Sequence, residues 1–298
     1  MKPVILFVIL SLFFIYCGSP GPDIGSEKIQ ITVSILPQKY FVERIAGDGV
    51  NIDFDIHVMI PPGHSPATYA PTPQQMKVLS HSKLYFRIGH IPFENAWMKN
   101  ISSNNPHMKI IDTSVGVDLI KTREDKGDPH LAHHHHAGID PHIWLSPRAV
   151  KIQAKHILDA MIEIDRENQE FYQENYRLFL LDIDRLDREI KALLEKYQGR
   201  KLMVFHPAWS YFTRDYGLEQ LPIELEGKAP NPANLKKIID IARQENIRII
   251  FVQEQFDTNS ARAVAAEIGG QVVKIDPLAS DWLENMEEIA QTLSDVLK

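Results

Sequence analysis

The sequence predicts an α/β protein of two lobes, each with a mainly parallel sheet flanked by helices, joined by a long rigid α-helix. From Lys28 onward, β-branched apolar runs alternate with helical patterns, which is typical of parallel strands connected by helices. One amphipathic stretch, 165–199, is unusually long, and the alternation resumes after it. A chain of 298 residues with 44% hydrophobic and 24% charged residues can bury a core in each lobe.

Residues 1–17 have the character of an export signal. The uncharged run 4–16 is shorter than the roughly 20 residues that a membrane-spanning helix needs. Cys17 follows it directly, as in bacterial lipoprotein signals, in which cleavage leaves an acylated cysteine at the new N-terminus. We therefore expect a lipid anchor at Cys17 and a tether over 18–27. Tyr16 departs from the small residue that such signals favour, so simple secretion and an uncleaved anchor remain alternatives.

The N-terminal lobe is predicted to span 28–164. Its first three strands are expected at 29–35, 52–60 and 83–88. A helix between the last two has a clear start, because Thr72 is a natural cap, Pro73 fits the first helical position and Gln75 completes a capping box.

The linking helix is predicted over 165–199 and the C-terminal lobe over 200–298. Unbroken, that helix would be on the order of 50 Å long, and Gly199 is well placed to end it. The second lobe repeats the strand and helix alternation, with strands at 201–205, 247–252 and 271–275 and helices at 231–243, at 258–268 and at the C-terminus.

Composition excludes several classes of function. The net charge is 32 − 39 = −7 and the sequence has no basic run, which argues against nucleic-acid binding. It also has no glycine-rich phosphate loop, which argues against a nucleotide cofactor. Cys17 is the only cysteine, so metal ligands in the folded chain must be His, Asp or Glu.

Several potential metal ligands follow predicted strands, where open α/β sheets bind their ligands. His90, His206 and Asp276 each come just after a strand, and His64 lies in the loop after the second strand. His142 lies in a turn that leads to a helix. Three or four His and Asp ligands suit zinc, whereas a site richer in carboxylates would favour manganese.

A second group of histidines forms a tract within loop 128–138. Six of the thirteen histidines lie between His130 and His142. A contiguous histidine tract binds divalent metals without fixed geometry. We expect His130 to His136 to act as a low-affinity, metal-collecting loop that is distinct from the ordered site.

Four motifs, at 62–73, 140–147, 206–212 and 276–278, resemble those of the solute-binding lipoproteins of bacterial zinc and manganese ABC importers. The resemblance implies two lobes bridged by a helix, with the metal held between them. It places His142, His206 and Asp276 on three family ligand positions. A histidine at 206, where manganese-type members usually have a carboxylate, favours zinc.

One position departs from that family. Its first ligand is a histidine in a Pro-His-x-Tyr or Pro-His-x-Phe pattern, and here that position is Ala67. His64 and His90 are candidate replacements, and a site of three ligands closed by water is a third possibility. We favour His90, because the end of a strand fixes a side chain more rigidly than a Pro/Gly loop does.

The resemblance implies a binding protein rather than an enzyme. It would capture Zn²⁺, or alternatively Mn²⁺, in the periplasm or at the cell surface and deliver it to an ABC importer permease in the cytoplasmic membrane. We expect a monomer whose helical strut limits metal release to local loop movement and small lobe shifts. The alternatives are a metal-binding surface adhesin or structural protein and, less favoured, a zinc hydrolase, for which the sequence has no His-Glu-x-x-His motif and no assignable general base.

Overall fold

The computed structural model describes residues 28–47, 54–121, 138–224, 231–253, 255 and 259–297. The expectations for the export signal, Cys17, the tether and the tract His130 to His136 lie outside these residues. Within the described ranges, no helix combines the length and the apolar character that crossing a membrane requires.

The N-terminal lobe is built on a four-stranded parallel sheet in the order β2-β1-β3-β4. Its elements are β1 (Ile29–Val33), α1 (Leu36–Ala46), β2 (Phe54–Val58), α2 (Pro73–Leu79), β3 (Leu84–Arg87), α3 (Pro92–Asn104) and β4 (Lys109–Asp112). The predicted start of α2 is confirmed. The Thr72 hydroxyl accepts a hydrogen bond from the backbone N–H of Gln75 at 3.2 Å, and the Gln75 side chain accepts the Thr72 N–H at 2.9 Å.

Two long helices follow, α4 (Pro147–Ile164) and α5 (Gln169–Leu194), and they pack against each other. The linking helix is shorter than the predicted 165–199, because a short 3₁₀ turn precedes α5 and another, Glu195–Tyr197, follows it. Asp165 accounts for the first interruption, since its carboxylate accepts hydrogen bonds from Asn168, at 2.8 Å, and from the Tyr172 hydroxyl. With 26 residues, α5 is about 39 Å long.

The C-terminal lobe repeats the arrangement of the first, with a parallel sheet in the order β6-β5-β7-β8. Its elements are β5 (Lys201–Val204), α6 (Ser210–Tyr216), β6 (Glu219–Pro222), α7 (Pro232–Gln244), β7 (Ile249–Val252), α8 (Asn259–Ile268), β8 (Gln271–Lys274) and α9 (Trp282–Val296). The final helix packs on α5 and returns to the first lobe, where the ring of Trp282 meets that of Phe41 at 5.3 Å between centroids.

Apolar burial joins the two lobes. One hydrophobic core includes residues of the first sheet, α4, α5, α9 and part of the second sheet. A smaller core lies between the second sheet and helices α7 and α8. Because the larger core contains residues of both lobes, it fixes the strand ends of one sheet relative to those of the other.

Candidate metal centre

A cavity of about 230 Å³ lies between the lobes, where strands of both sheets end. His90, which follows β3, lines it from the first lobe, and His206, which follows β5, lines it from the second. His142 joins them from the turn before α4. The structure therefore brings three of the five sequence-predicted ligands to one cavity.

His142 and His206 form a close pair across this cavity. Their ring centroids are 5.4 Å apart and the ring planes make an angle of 75°. The side chains are 15% and 20% exposed, so both are largely shielded from solvent. Two imidazoles at this spacing lie near enough for a single ion to be bound between them after a small adjustment of the side chains.

Each of the two imidazoles has a buried carboxylate behind it. His142 Nδ1 lies 2.7 Å from Asp140 Oδ1, and His206 Nδ1 lies 2.9 Å from Glu224 Oε2. Because an ionised carboxylate only accepts hydrogen bonds, each Nδ1 must carry the proton and donate it. In its neutral form each ring then keeps the lone pair of Nε2 for another partner, which is the tautomer that a metal ligand needs.

Burial and neighbouring charges shift the pKa values of His206 and Asp140. Burial lowers the pKa of His206 below its ordinary value of 6.5, and the neighbouring His142 lowers it further, although the hydrogen bond to Glu224 opposes the shift. Burial would raise the pKa of Asp140, but the charge and hydrogen bonds of His142 outweigh burial and lower it. The result is a neutral imidazole at His206 and an ionised Asp140 near pH 7.

The third imidazole, His90, is placed by an unusual backbone. Its φ is +65°, in the left-handed region, and that of Gly89 is +82°. A Cβ added at Gly89 would lie 2.6 Å from Ser114 Oγ and 2.9 Å from Asp112 Oδ1, so only glycine fits. A non-glycine residue with positive φ persists where the surrounding structure imposes it, which is common at binding sites.

Glu94 supplies that constraint. Its side chain is fully buried, and its two oxygens accept the backbone N–H groups of Ile88, at 2.7 Å, and Gly89, at 2.8 Å. Ser34 donates its hydroxyl to the same carboxylate at 2.5 Å. Burial raises the pKa of Glu94, while these donors and the nearby Arg87 oppose that rise. The turn that carries His90 is thereby fixed to the interior of the first lobe.

Asp276 follows β8 as expected, but it lines a neighbouring cavity of about 290 Å³ rather than the one with the three imidazoles. Its Oδ1 accepts the Gln255 side-chain N–H at 3.1 Å and the backbone N–H of Leu278 at 2.9 Å. Gln255 and Leu278 line both cavities, so the two cavities share part of their walls.

His64 is not brought to the site. It is exposed, its Nδ1 lies 3.1 Å from the Pro62 carbonyl and its ring packs edge-on against Tyr69 at 5.1 Å. The residues that line the two cavities do not include His64, whereas Ala67 lines the cavity with the three imidazoles. The position of the missing family histidine therefore lies on that cavity wall, where Ala67 supplies no ligand.

The described part of the chain contains no group of three His, Cys, Asp or Glu side chains already arranged around one point. Sequence reasoning did not assign a role to Asp140, Glu224, Gln253 or Gln255. Asp140, two residues before His142, could have been suggested by that spacing. Glu224 could not, because only the pairing of β5 with β6 brings it to His206.

Comparison with known proteins gives a consistent picture. The family ZnuA, described as zinc-uptake complex component A, periplasmic, matches residues 31–296. The high-affinity zinc uptake system protein ZnuA of Bacillus subtilis is 25% identical over 286 residues, covering 92% of this chain and 88% of its own. The manganese ABC transporter substrate-binding lipoprotein PsaA of Streptococcus anginosus is 27% identical over 322 residues, covering 97% and 98%. A crystal structure of ZnuA has a TM-score of 0.83 at 39% identity and covers 91% of this chain and 100% of that chain.

Proposed function

This chain belongs to the periplasmic zinc-uptake component A family, and on that premise we propose that His90, His142 and His206 bind its Zn²⁺ directly. It is an extracytoplasmic metal-binding protein that serves an ABC importer, as its relatives are. It captures a metal ion and hands it over, so the ion is the cargo of the protein and not a resident cofactor.

The pair His142 and His206, each backed by a carboxylate, carries the proposal. A metal-binding histidine typically donates its second ring N–H to a carboxylate, which fixes the ring and makes the free nitrogen a stronger ligand. Both histidines here have that arrangement, at 2.7 Å and 2.9 Å, and they come from different lobes. A single ion bound between them would join the lobes.

The donor set favours zinc over manganese. Three imidazoles are suited to zinc, whereas manganese prefers sites rich in carboxylate and carbonyl oxygens. Asp276, the one carboxylate among the predicted ligands, is hydrogen-bonded to Gln255 and lines the neighbouring cavity. In our proposal Asp276 contributes its negative charge from that position, and His90 moves towards the pair as the ion binds.

His90 takes the role that Ala67 cannot fill. Both residues line the same cavity, and the Glu94 carboxylate fixes the turn that presents His90. His64 belongs to an exposed loop instead, so its contribution would need the loop to refold.

We further propose that the protein acts as a monomer anchored through a lipid on Cys17, so that the loaded lobes face a permease in the same membrane. The tract His130 to His136 would raise the local zinc concentration near the cleft.

A competitive zinc titration tests the proposed site. The variants are His142→Ala, His206→Ala and a deletion of His130 to His136. We expect one tight equivalent in the wild type that survives the deletion, and a loss of roughly 100-fold or more in affinity for each alanine variant. If the deletion alone abolished tight binding, zinc would be held by the tract and the proposed site would be rejected.

A further inference from the structure

Gln253 is a buried polar side chain without a visible role. It follows β7 directly and is 2% exposed, and it lines the cavity that holds the three imidazoles. Neither its Nε2 nor its Oε1 has a hydrogen-bond partner among the described residues. A buried amide that remains unpaired costs free energy, so natural structures usually supply it with a water molecule or a ligand.

The cavity has room for such a partner. At about 230 Å³ it is several times larger than the roughly 30 Å³ that a water molecule occupies. Ala67, on its wall, contributes only a methyl group. Three imidazoles around a zinc ion leave at least one coordination position open, since zinc takes four or five ligands.

We infer that Gln253 holds a water molecule on the bound ion, in the coordination position that the three imidazoles leave open. This inference rests on the proposed three-imidazole site. Water bound to zinc is a strong hydrogen-bond donor, because the ion withdraws electron density from its oxygen. Gln253 Oε1 can accept that hydrogen bond, and Nε2 can donate to a second water in the cavity.

The competing occupant of the fourth position is Asp276. Its carboxylate oxygen Oδ1 already accepts two hydrogen bonds, from Gln255 and from the backbone of Leu278, in the neighbouring cavity. Coordination through Oδ1 would compete with the first of these bonds, and coordination through either oxygen of Asp276 would leave Gln253 unpaired. The water assignment satisfies Gln253 and preserves both bonds of Asp276.

Gln153 provides a matched control. It lies on α4, is 0% exposed, and also has both amide atoms without a partner within the described ranges. It is not among the residues that line the cavity. Gln253→Leu and Gln153→Leu therefore make the same chemical change at two buried glutamines, only one of which can reach the ion.

The first test compares zinc affinity and metal-free stability in the purified protein. We expect Gln253→Leu to lower zinc affinity by about 10-fold, whereas Gln153→Leu changes it by less than about 2-fold. The melting temperature of metal-free Gln253→Leu should equal or exceed that of the wild type, because an unpaired amide has been removed. A Gln253→Leu variant that keeps full affinity, or loses affinity only with a matching loss of metal-free stability, would overturn the inference.

The second test needs no variant. A crystal structure of the wild-type zinc complex should place a water oxygen about 2.0–2.2 Å from the ion and about 3 Å from an amide atom of Gln253. An Asp276 carboxylate in that position, with the imidazoles bound, would overturn this inference and leave the proposed site intact. An ion bound away from His142 and His206 would instead refute the proposed function itself.

Discussion

The indole nitrogen of Trp144 donates a hydrogen bond to the carbonyl oxygen of Pro277 at 2.7 Å, which joins the turn after His142 to the turn after Asp276. Trp282 in turn donates its indole N–H to the carbonyl of Trp144 at 2.7 Å. Both tryptophans are about 1% exposed. These bonds tie the first lobe to the C-terminal segment directly beside the cleft.

We predict that Trp282→Phe lowers the free energy of unfolding by about 1–3 kcal/mol, because the Trp144 carbonyl loses its donor inside the protein. Chemical denaturation of the metal-free protein measures this. Trp97→Phe, at a half-buried position on α3, is the control and should have the smaller effect. Equal losses in the two variants would show that the bond to Trp144 contributes nothing specific.

Zinc affinity should distinguish His90 from His64. Asparagine tolerates a positive φ, so His90→Asn removes the imidazole without adding backbone strain. We expect this variant to lose about 10- to 100-fold in affinity, and His64→Asn to lose less than about 2-fold. Isothermal competition with a chelator gives both values. The opposite order would assign the third imidazole to His64.

The carboxylates behind the imidazoles should matter through the tautomer that they select. An amide can donate to Nδ1, and the ring would then carry its proton on Nε2, where zinc must bind. Asp140→Asn and Glu224→Gln should each reduce zinc affinity by about 10- to 100-fold. Asp118→Asn, at a side chain that is 95% exposed, is the control. Unchanged affinity in both amide variants would contradict the proposed orientation of the rings.

Substitutions at Gly89 and Gly63 distinguish two reasons why a position requires glycine, which are a positive φ and a lack of space for a Cβ. Both have positive φ, +82° and +77°, but a Cβ at Gly63 would meet nothing within 4 Å. We expect Gly63→Ala to cost about 1 kcal/mol of stability from backbone strain alone. Gly89→Ala should cost about 2–3 kcal/mol and should also weaken zinc binding, since it displaces the turn that carries His90. Similar values for the two variants would show that the contact with Ser114 is easily relieved.

Stability of the metal-free protein should depend on His206 in mild acid. Because burial lowers the pKa of His206 below 6.5, the folded state resists a proton that the unfolded state accepts. His206 therefore adds no pH dependence to the stability above its ordinary pKa of 6.5. The free energy of unfolding falls as the pH drops from there towards the lower pKa that His206 has in the folded state. Denaturation of wild type and His206→Gln between about pH 7 and pH 5 measures the difference. A wild type that loses no more stability than the variant would contradict the direction of the shift.

Much of the fold follows from local sequence signals. The capping box at Thr72, the Asn231 cap, which accepts the Asn234 N–H at 2.9 Å, and the β-branched runs of β1 and β7 all correspond to observed elements. The strands β4 and β6 were not predicted. β4 has only two apolar residues, Ile110 and Ile111, and β6 includes Pro222, so neither has a strong local pattern.

The candidate site was only partly accessible to sequence reasoning. Polar residues after strands led to His90, His206 and Asp276, because parallel strands end at one edge. The sequence could not show that Gln255 holds Asp276 in a second cavity, nor that Glu224 supports His206. Those relationships depend on side chains brought together from neighbouring strands, and no spacing along the chain encodes them.

The most direct test of the proposed site is X-ray absorption at the zinc edge with one equivalent of metal. It compares two proteins that both lack the tract His130 to His136, one otherwise wild type and one with the double substitution His142→Ala, His206→Ala. We predict that about three imidazoles bind zinc in the protein with both histidines and that this signal is lost in the double variant. The same imidazole signal in both proteins would mean that zinc is bound elsewhere, and would contradict the proposed site.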